Sequence, residues 1–177
     1  MADGSGLGDV YGATIARIKA QVGDKSRLGM AALMWINHAE RPLRADELCH
    51  ALGVELGSTN FNTRNIPSMS TLVGCCQGLI VVDKEASTVR LIHFTLQEYL
   101  SAHPDLFSNP HSTMAEICLF DLSEFTTGES PFEQSFSWYL EYTLPGILLR
   151  VLGCPCEKGA LRLRILTCPG ALKGALQ

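Results

Sequence analysis

Charge is scarce in this chain. Asp, Glu, Lys and Arg make up 18% of it, against about 25% in an average soluble domain. The 18 acidic residues outnumber the 14 basic ones, leaving a net charge of −4. An acidic balance gives no field for gathering phosphate backbones, which argues against a dedicated nucleic-acid binder. Long apolar runs are missing too. The two most apolar stretches, Met30 to Ile36 and Leu144 to Leu152, are shorter than the ~20 residues a bilayer requires, and the second contains Arg150. Met1 to Gly6 has neither the basic flank nor the apolar run of a signal peptide. The expectation is a cytoplasmic chain with no membrane partner. No Gly-x-x-x-x-Gly-Lys-Ser/Thr loop and no acidic strand for Mg²⁺ occur; Gly4, Gly6 and Gly8 lack a preceding strand and a following lysine.

What is present suffices for a folded core. Hydrophobic residues form 46% of 177, the length of one domain or of one domain and a tail. A chain this long buries about 70% of the surface its unfolded form exposes, so general disorder is excluded. Seven cysteines is an odd number. Without a secretory signal they read as reduced thiols packed as small hydrophobes, not as a disulfide framework.

Periodicity predicts helices over residues 9 to 21, with Val10, Ile15, Ile18 and Val22 on one stripe, and over 27 to 39, with Leu28, Ala32, Trp35 and Ala39. A third covers 45 to 52, with Asp46 and Glu47 well placed for the helix dipole. Residues 53 to 65 read as a loop centred on Gly57 to Asn60, and Pro67 opens a fourth helix running to about Gln77, with Leu72, Cys75, Cys76 and Leu79 inward. Leu79 to Val82, the turn Asp83 to Ser87, and Thr88 to His93 predict a β-hairpin. Thr95-Leu96-Gln97-Glu98 reads as a capping box in which Thr95 caps and Glu98 reaches back, with Phe94 and Tyr99 as staple; Thr113 and Glu116 repeat the pattern. These place helices at 95 to 102 and from 113 to about 122. Residues 123 to 177 show no consistent period.

Helix, helix, helix, strand, strand over residues 27 to 93 is the order of a winged helix. The expected fold is mainly α with a small β-hairpin: a preceding helix in 1–24, the winged helix at 25–103, a following helix at 104–122 and an unassigned tail at 123–177. Winged helices that read DNA place Arg, Lys, Asn or Gln on the outer face of the third helix. Between Pro67 and Leu79 there is no Lys, no Arg and a single Gln, and Lys84 and Arg90 in the hairpin are offset by Asp83 and Glu85.

Three runs carry a family resemblance: Asp9-Val10-Tyr11-Gly12-Ala13-Thr14-Ile15 with Arg17-Ile18; Arg41-Pro42-Leu43 with Asp46-Glu47-Leu48-Cys49-His50-Ala51-Leu52; and Val89-Arg90-Leu91-Ile92-His93-Phe94-Thr95-Leu96-Gln97-Glu98-Tyr99-Leu100. Together they resemble the segment that follows the nucleotide-binding core in fungal NACHT proteins. Those are signal-transduction NTPases of the STAND class, many of them carrying ankyrin or other repeats. The segment is also known as the winged helix of GPI inositol-deacylase-type proteins. The resemblance spans residues 9 to 120 and is most specific from His93 to Leu100. It implies a fragment without the NTPase core: residues 1–24 would hold the last helix of a NACHT module, and the chain would be a non-catalytic regulatory module coupling nucleotide state to a downstream repeat sensor. Its partners would be a NACHT core and repeat domains, in cis or in trans. The chain itself would carry no cofactor, ADP or ATP belonging to a full-length relative. In related NACHT proteins the histidine before the Gln-Glu-aromatic helix approaches the phosphates of bound ADP, a role the resemblance gives to His93. The plainer alternative is that His93 ends a strand and caps locally.

Other chemistry is weaker. Glu98 as a general base competes with its capping position. Cys49-His50 and Cys75-Cys76 suggest a small Cys-dependent hydrolase, but neighbouring residues on a helix point in different directions, and Cys75 and Cys76 sit where the helix needs apolar contacts. Cys154-Pro155-Cys156 with Cys168 offers three thiolates to Zn²⁺ and no fourth ligand, so no metal site is assigned. Trp138, Tyr139, Leu140 and Tyr142 form an aromatic cluster suited to a packing face.

Overall fold

A computed structural model describes residues 5–55 and 62–127. The loop centre at Gly57 to Asn60, the Cys154, Cys156 and Cys168 thiols, and the Trp138 to Tyr142 cluster lie outside those residues.

Helix α1 (Ser5–Lys19) packs on α2 (Asp24–His38), followed by a two-residue strand β1 (Leu43–Arg44), α3 (Ala45–Gly53), a 3-10 turn (Thr63–Asn65), α4 (Met69–Cys75), the hairpin strands β2 (Ile80–Asp83) and β3 (Thr88–Leu91), α5 (Phe94–Ala102), a second 3-10 turn (Pro104–Leu106) and α6 (Pro110–Thr127). The fold is mainly α with a small antiparallel sheet, as expected. The sheet has three strands in the order β1-β3-β2, not two. β1 was hidden because Arg41-Pro42 reads only as an extended exit from α2. Its register on β3 pairs Leu43 with Val89 and Arg44 with Thr88.

One core joins all the layers. Trp35, Leu33 and Ala32 of α2 are fully buried among Ile18, Leu48, Leu72, Leu96, Leu100 and Met114 from five other helices. Gly29 allows the tightest approach: a Cβ there would stand 2.7 Å from the Cys75 carbonyl oxygen and 2.8 Å from Ile18 Cγ2. α2 can touch the end of α4 only because this side chain is absent. The chain leaves α4 through two left-handed residues, Gln77 (φ 50) and Gly78 (φ 82), where the glycine stop was expected.

Four local expectations are corrected. α1 ends at Lys19, so Val22, 90% exposed, lies beyond it, and Val10 is 60% exposed; the inward face is Tyr11, Thr14, Ile15 and Ile18, set by the packing of α1 on α2 and α5. Pro67 lies outside α4, which Ser68 caps by accepting from the Thr71 amide. α5 is capped by His93, not Thr95: His93 Nδ1 accepts from the Thr95 amide, and Thr95 is the second residue of the helix. Glu98, exposed, makes no capping bond among the described residues. α6 starts at Pro110, whose fixed φ suits a first helical position, and the Thr113 amide donates to the Asn109 carbonyl. Thr113 and Glu116 thus lie inside the helix rather than at its cap.

Candidate functional site

His93 stands where the wing ends and α5 begins. Its φ of −152° and ψ of 151° continue the extended path of β3, and the amide two residues on turns into the helix by donating to Nδ1. The ring is exposed and lies against the Phe94 ring, centroids 4.7 Å apart. Ile92 and Phe94 on either side are 47% and 65% exposed. Apolar side chains in water flanking a polar one mark a surface suited to a neighbour.

This shoulder borders a groove of about 360 Å³ between the end of α2, the β1 approach, β3 and the first turn of α5. Ile36, Leu43 and Leu91 supply apolar wall, and Glu40, Arg41, Arg90, His93 and Gln97 supply polar groups, one of them a carboxylate. Arg90 is exposed and forms no ion pair among the described residues. Arg41 is engaged: its two terminal nitrogens donate to Glu47 Oε1 at 2.7 Å and Oε2 at 3.0 Å, while Glu47 Oε2 also accepts from the Arg44 amide at 2.8 Å. The Glu47 side chain is 1% exposed. This clamp ties the groove's β1 edge to α3. Asp46 and Glu47 are expected from spacing only as dipole partners; that Glu47 reaches back to the amide three residues earlier is the helix-start pattern expected at Glu98 instead.

The remaining candidates gather into no catalytic constellation. Glu98 is an exposed carboxylate, and its capping-box explanation is replaced by none with a chemical role. Cys49, His50, Cys75 and Cys76 are all buried. Burial, with a smaller contribution from Asp46, pushes the Cys49 thiol up to about 11; burial, then Cys75, pushes Cys76 up to about 12. A nucleophilic cysteine needs the opposite shift. No group of three or more potential metal ligands occurs among the described residues, and no helix among them is long and apolar enough to cross a membrane. The outer face of α4, the helix that would enter a DNA groove, carries Ser70, Thr71 and Gly74 and no cation.

Three helices closed by a wing, with a third strand before the second of them, define a winged helix, a typically non-catalytic fold. Over residues 16–114 the chain matches the family described as "GPI inositol-deacylase, winged helix domain". That is more than half of the sequence, and the chain belongs to this family. No curated protein and no solved structure matches it.

Proposed function

We propose that this winged helix is a non-catalytic regulatory and interaction module of a NACHT-type signal-transduction NTPase, coupling the nucleotide state of a NACHT core to a downstream repeat sensor. The observation that carries the reading is the position of His93. Its Nδ1 is occupied inside the chain, so Nε2 is the ring atom left for a neighbour; His93 lines the groove with exposed Arg90 and is flanked in sequence by exposed Ile92 and Phe94. An imidazole N–H donating to a phosphate oxygen, from a groove that Arg90 also lines, suits an anion held by another domain. ADP or ATP would belong to a NACHT core, in cis or in trans, and the chain's part is one donor that favours the closed arrangement. Loss of that acceptor shifts the population toward release. The setting is the cytoplasm, with protein partners and neither nucleic acid nor membrane.

The test joins the 177-residue chain to the NACHT core of a relative that has a phosphate-binding loop, loads the complex with ADP and measures nucleotide retained after desalting. His93→Ala is expected to weaken retention roughly tenfold, the size of one hydrogen bond to a charged group. The chain alone is expected to give no heat with ADP or ATP in calorimetry. Equal retention by the variant, or micromolar binding by the isolated chain, would overturn the reading.

A further inference from the structure

Tyr11 of α1 and Thr95 of α5 are 84 positions apart and share a hydrogen bond of 2.8 Å between hydroxyls. The two helices meet closely because α1 offers no bulk there. Gly8 and Gly12 face Tyr99, and a Cβ on Gly12 would stand 3.2 Å from the Tyr99 hydroxyl. The Tyr11 and Tyr99 rings lie 5.8 Å apart. From Thr95 the connection continues, because its Oγ1 is 2.9 Å from His93 Nδ1 while its amide N–H donates to the same nitrogen at 3.3 Å. An amide nitrogen can only donate, so Nδ1 is an acceptor and the ring proton of the neutral imidazole sits on Nε2. The directions of the other two bonds follow. Thr95 donates its hydroxyl proton to His93 and accepts the phenolic proton of Tyr11, and such a one-way chain strengthens each of its bonds.

We propose that Tyr11 is the positioning residue for His93, acting through Thr95, so that the seating of α1 on α5 determines whether His93 presents a fixed Nε2–H donor to the groove. The use of that donor rests on the function proposed above; the positioning is a property of this chain alone. Tyr11 lies outside the family-matched residues, which begin at 16, so the control enters from a helix that only partly belongs to the matched segment. With α1 lifted, the Thr95 hydroxyl loses the phenolic donor that fixes its rotation, and its own bond to the imidazole is no longer oriented.

The experiment reads the imidazole directly, without nucleotide. Long-range proton–nitrogen correlation on the full ¹⁵N-labelled chain, at a pH well above the ordinary imidazole range, reports which ring nitrogen is protonated. His103 provides an internal reference of the opposite kind, since its Nδ1 lies 2.8 Å from the Tyr99 carbonyl, which can only accept. His93 is expected as a single Nε2–H tautomer. Tyr11→Phe and Thr95→Val are each expected to move its two nitrogen resonances toward averaged values and leave those of His103 in place, and Thr95→Ser is expected to restore them. If Tyr11→Phe disturbs His103 as well, the Thr95→Val and Thr95→Ser pair decides the matter. A His93 ring that already averages its tautomers, or one that Tyr11→Phe leaves unmoved, overturns the proposal. A normal tautomer with unaltered ADP retention in His93→Ala would instead overturn only the nucleotide function.

Discussion

α3 and α5 start in opposite ways. At α3 a carboxylate with 1% of its side chain exposed takes a backbone amide and a two-pronged guanidinium. At α5 an exposed imidazole takes one amide and leaves its other nitrogen to the surroundings. The first spends its polar capacity inside the chain, as a buried charge must. The second keeps half of that capacity for something else. A helix start serving only stability resembles α3, whereas a solvent-facing cap with spare hydrogen-bonding capacity is suited to recognition.

This contrast can be broken most forcefully at Glu47. Glu47→Ala strands the Arg41 guanidinium and the Arg44 amide, and should cost about 3 kcal/mol by denaturant titration, at the low end for broken buried pairs because Arg41 can turn to water. A loss below about 1 kcal/mol would make the two helix starts alike. His93→Ala removes a cap from a surface helix and should cost about 1 kcal/mol, in the same titration. Glu98→Ala sharpens the comparison from the other side: with no capping bond to lose, it should stay within about 0.5 kcal/mol of the parent. The smallest effect is expected at the thiols. Iodoacetamide at about pH 7.5 should leave Cys49 and Cys76 of the folded chain unmodified by mass spectrometry, because thiols held near 11 and 12 carry almost no thiolate there.

The elements visible in the sequence were those whose signals are local. α2, α3 and the hairpin follow from apolar spacing, and Leu72, Cys75, Cys76 and Leu79 are buried as their spacing required. The errors arose where one local pattern competed with another. Thr95 and Glu98 match a capping box, yet His93, two residues earlier, takes the Thr95 amide because its ring reaches forward from an extended backbone. Thr113 and Glu116 match it as well, but Pro110 opens the helix first. β1 went unseen because a two-residue strand has no period of its own and exists only through β3. At the candidate site, His93 was singled out from a family resemblance, whereas Thr95 as its support and Tyr11 as the support of Thr95 were illegible: a bond across 84 positions leaves no trace in spacing.

β1 also fixes an order of events at birth. Leu43 is 2% exposed in the finished fold, and its strand partner is Val89. Residues are added at roughly 5–20 per second, so the roughly 45 that separate the pair take on the order of two to nine seconds to appear. During that interval β1 has no strand to pair with, and Leu43 lacks its partner Val89. Closing the sheet must wait for the distant strand and bear the loop entropy of everything between. The Arg41–Glu47 clamp needs nothing synthesised after residue 47. It can hold the β1 approach against α3 from the moment that helix forms, keeping the edge in place for a strand that has yet to leave the ribosome.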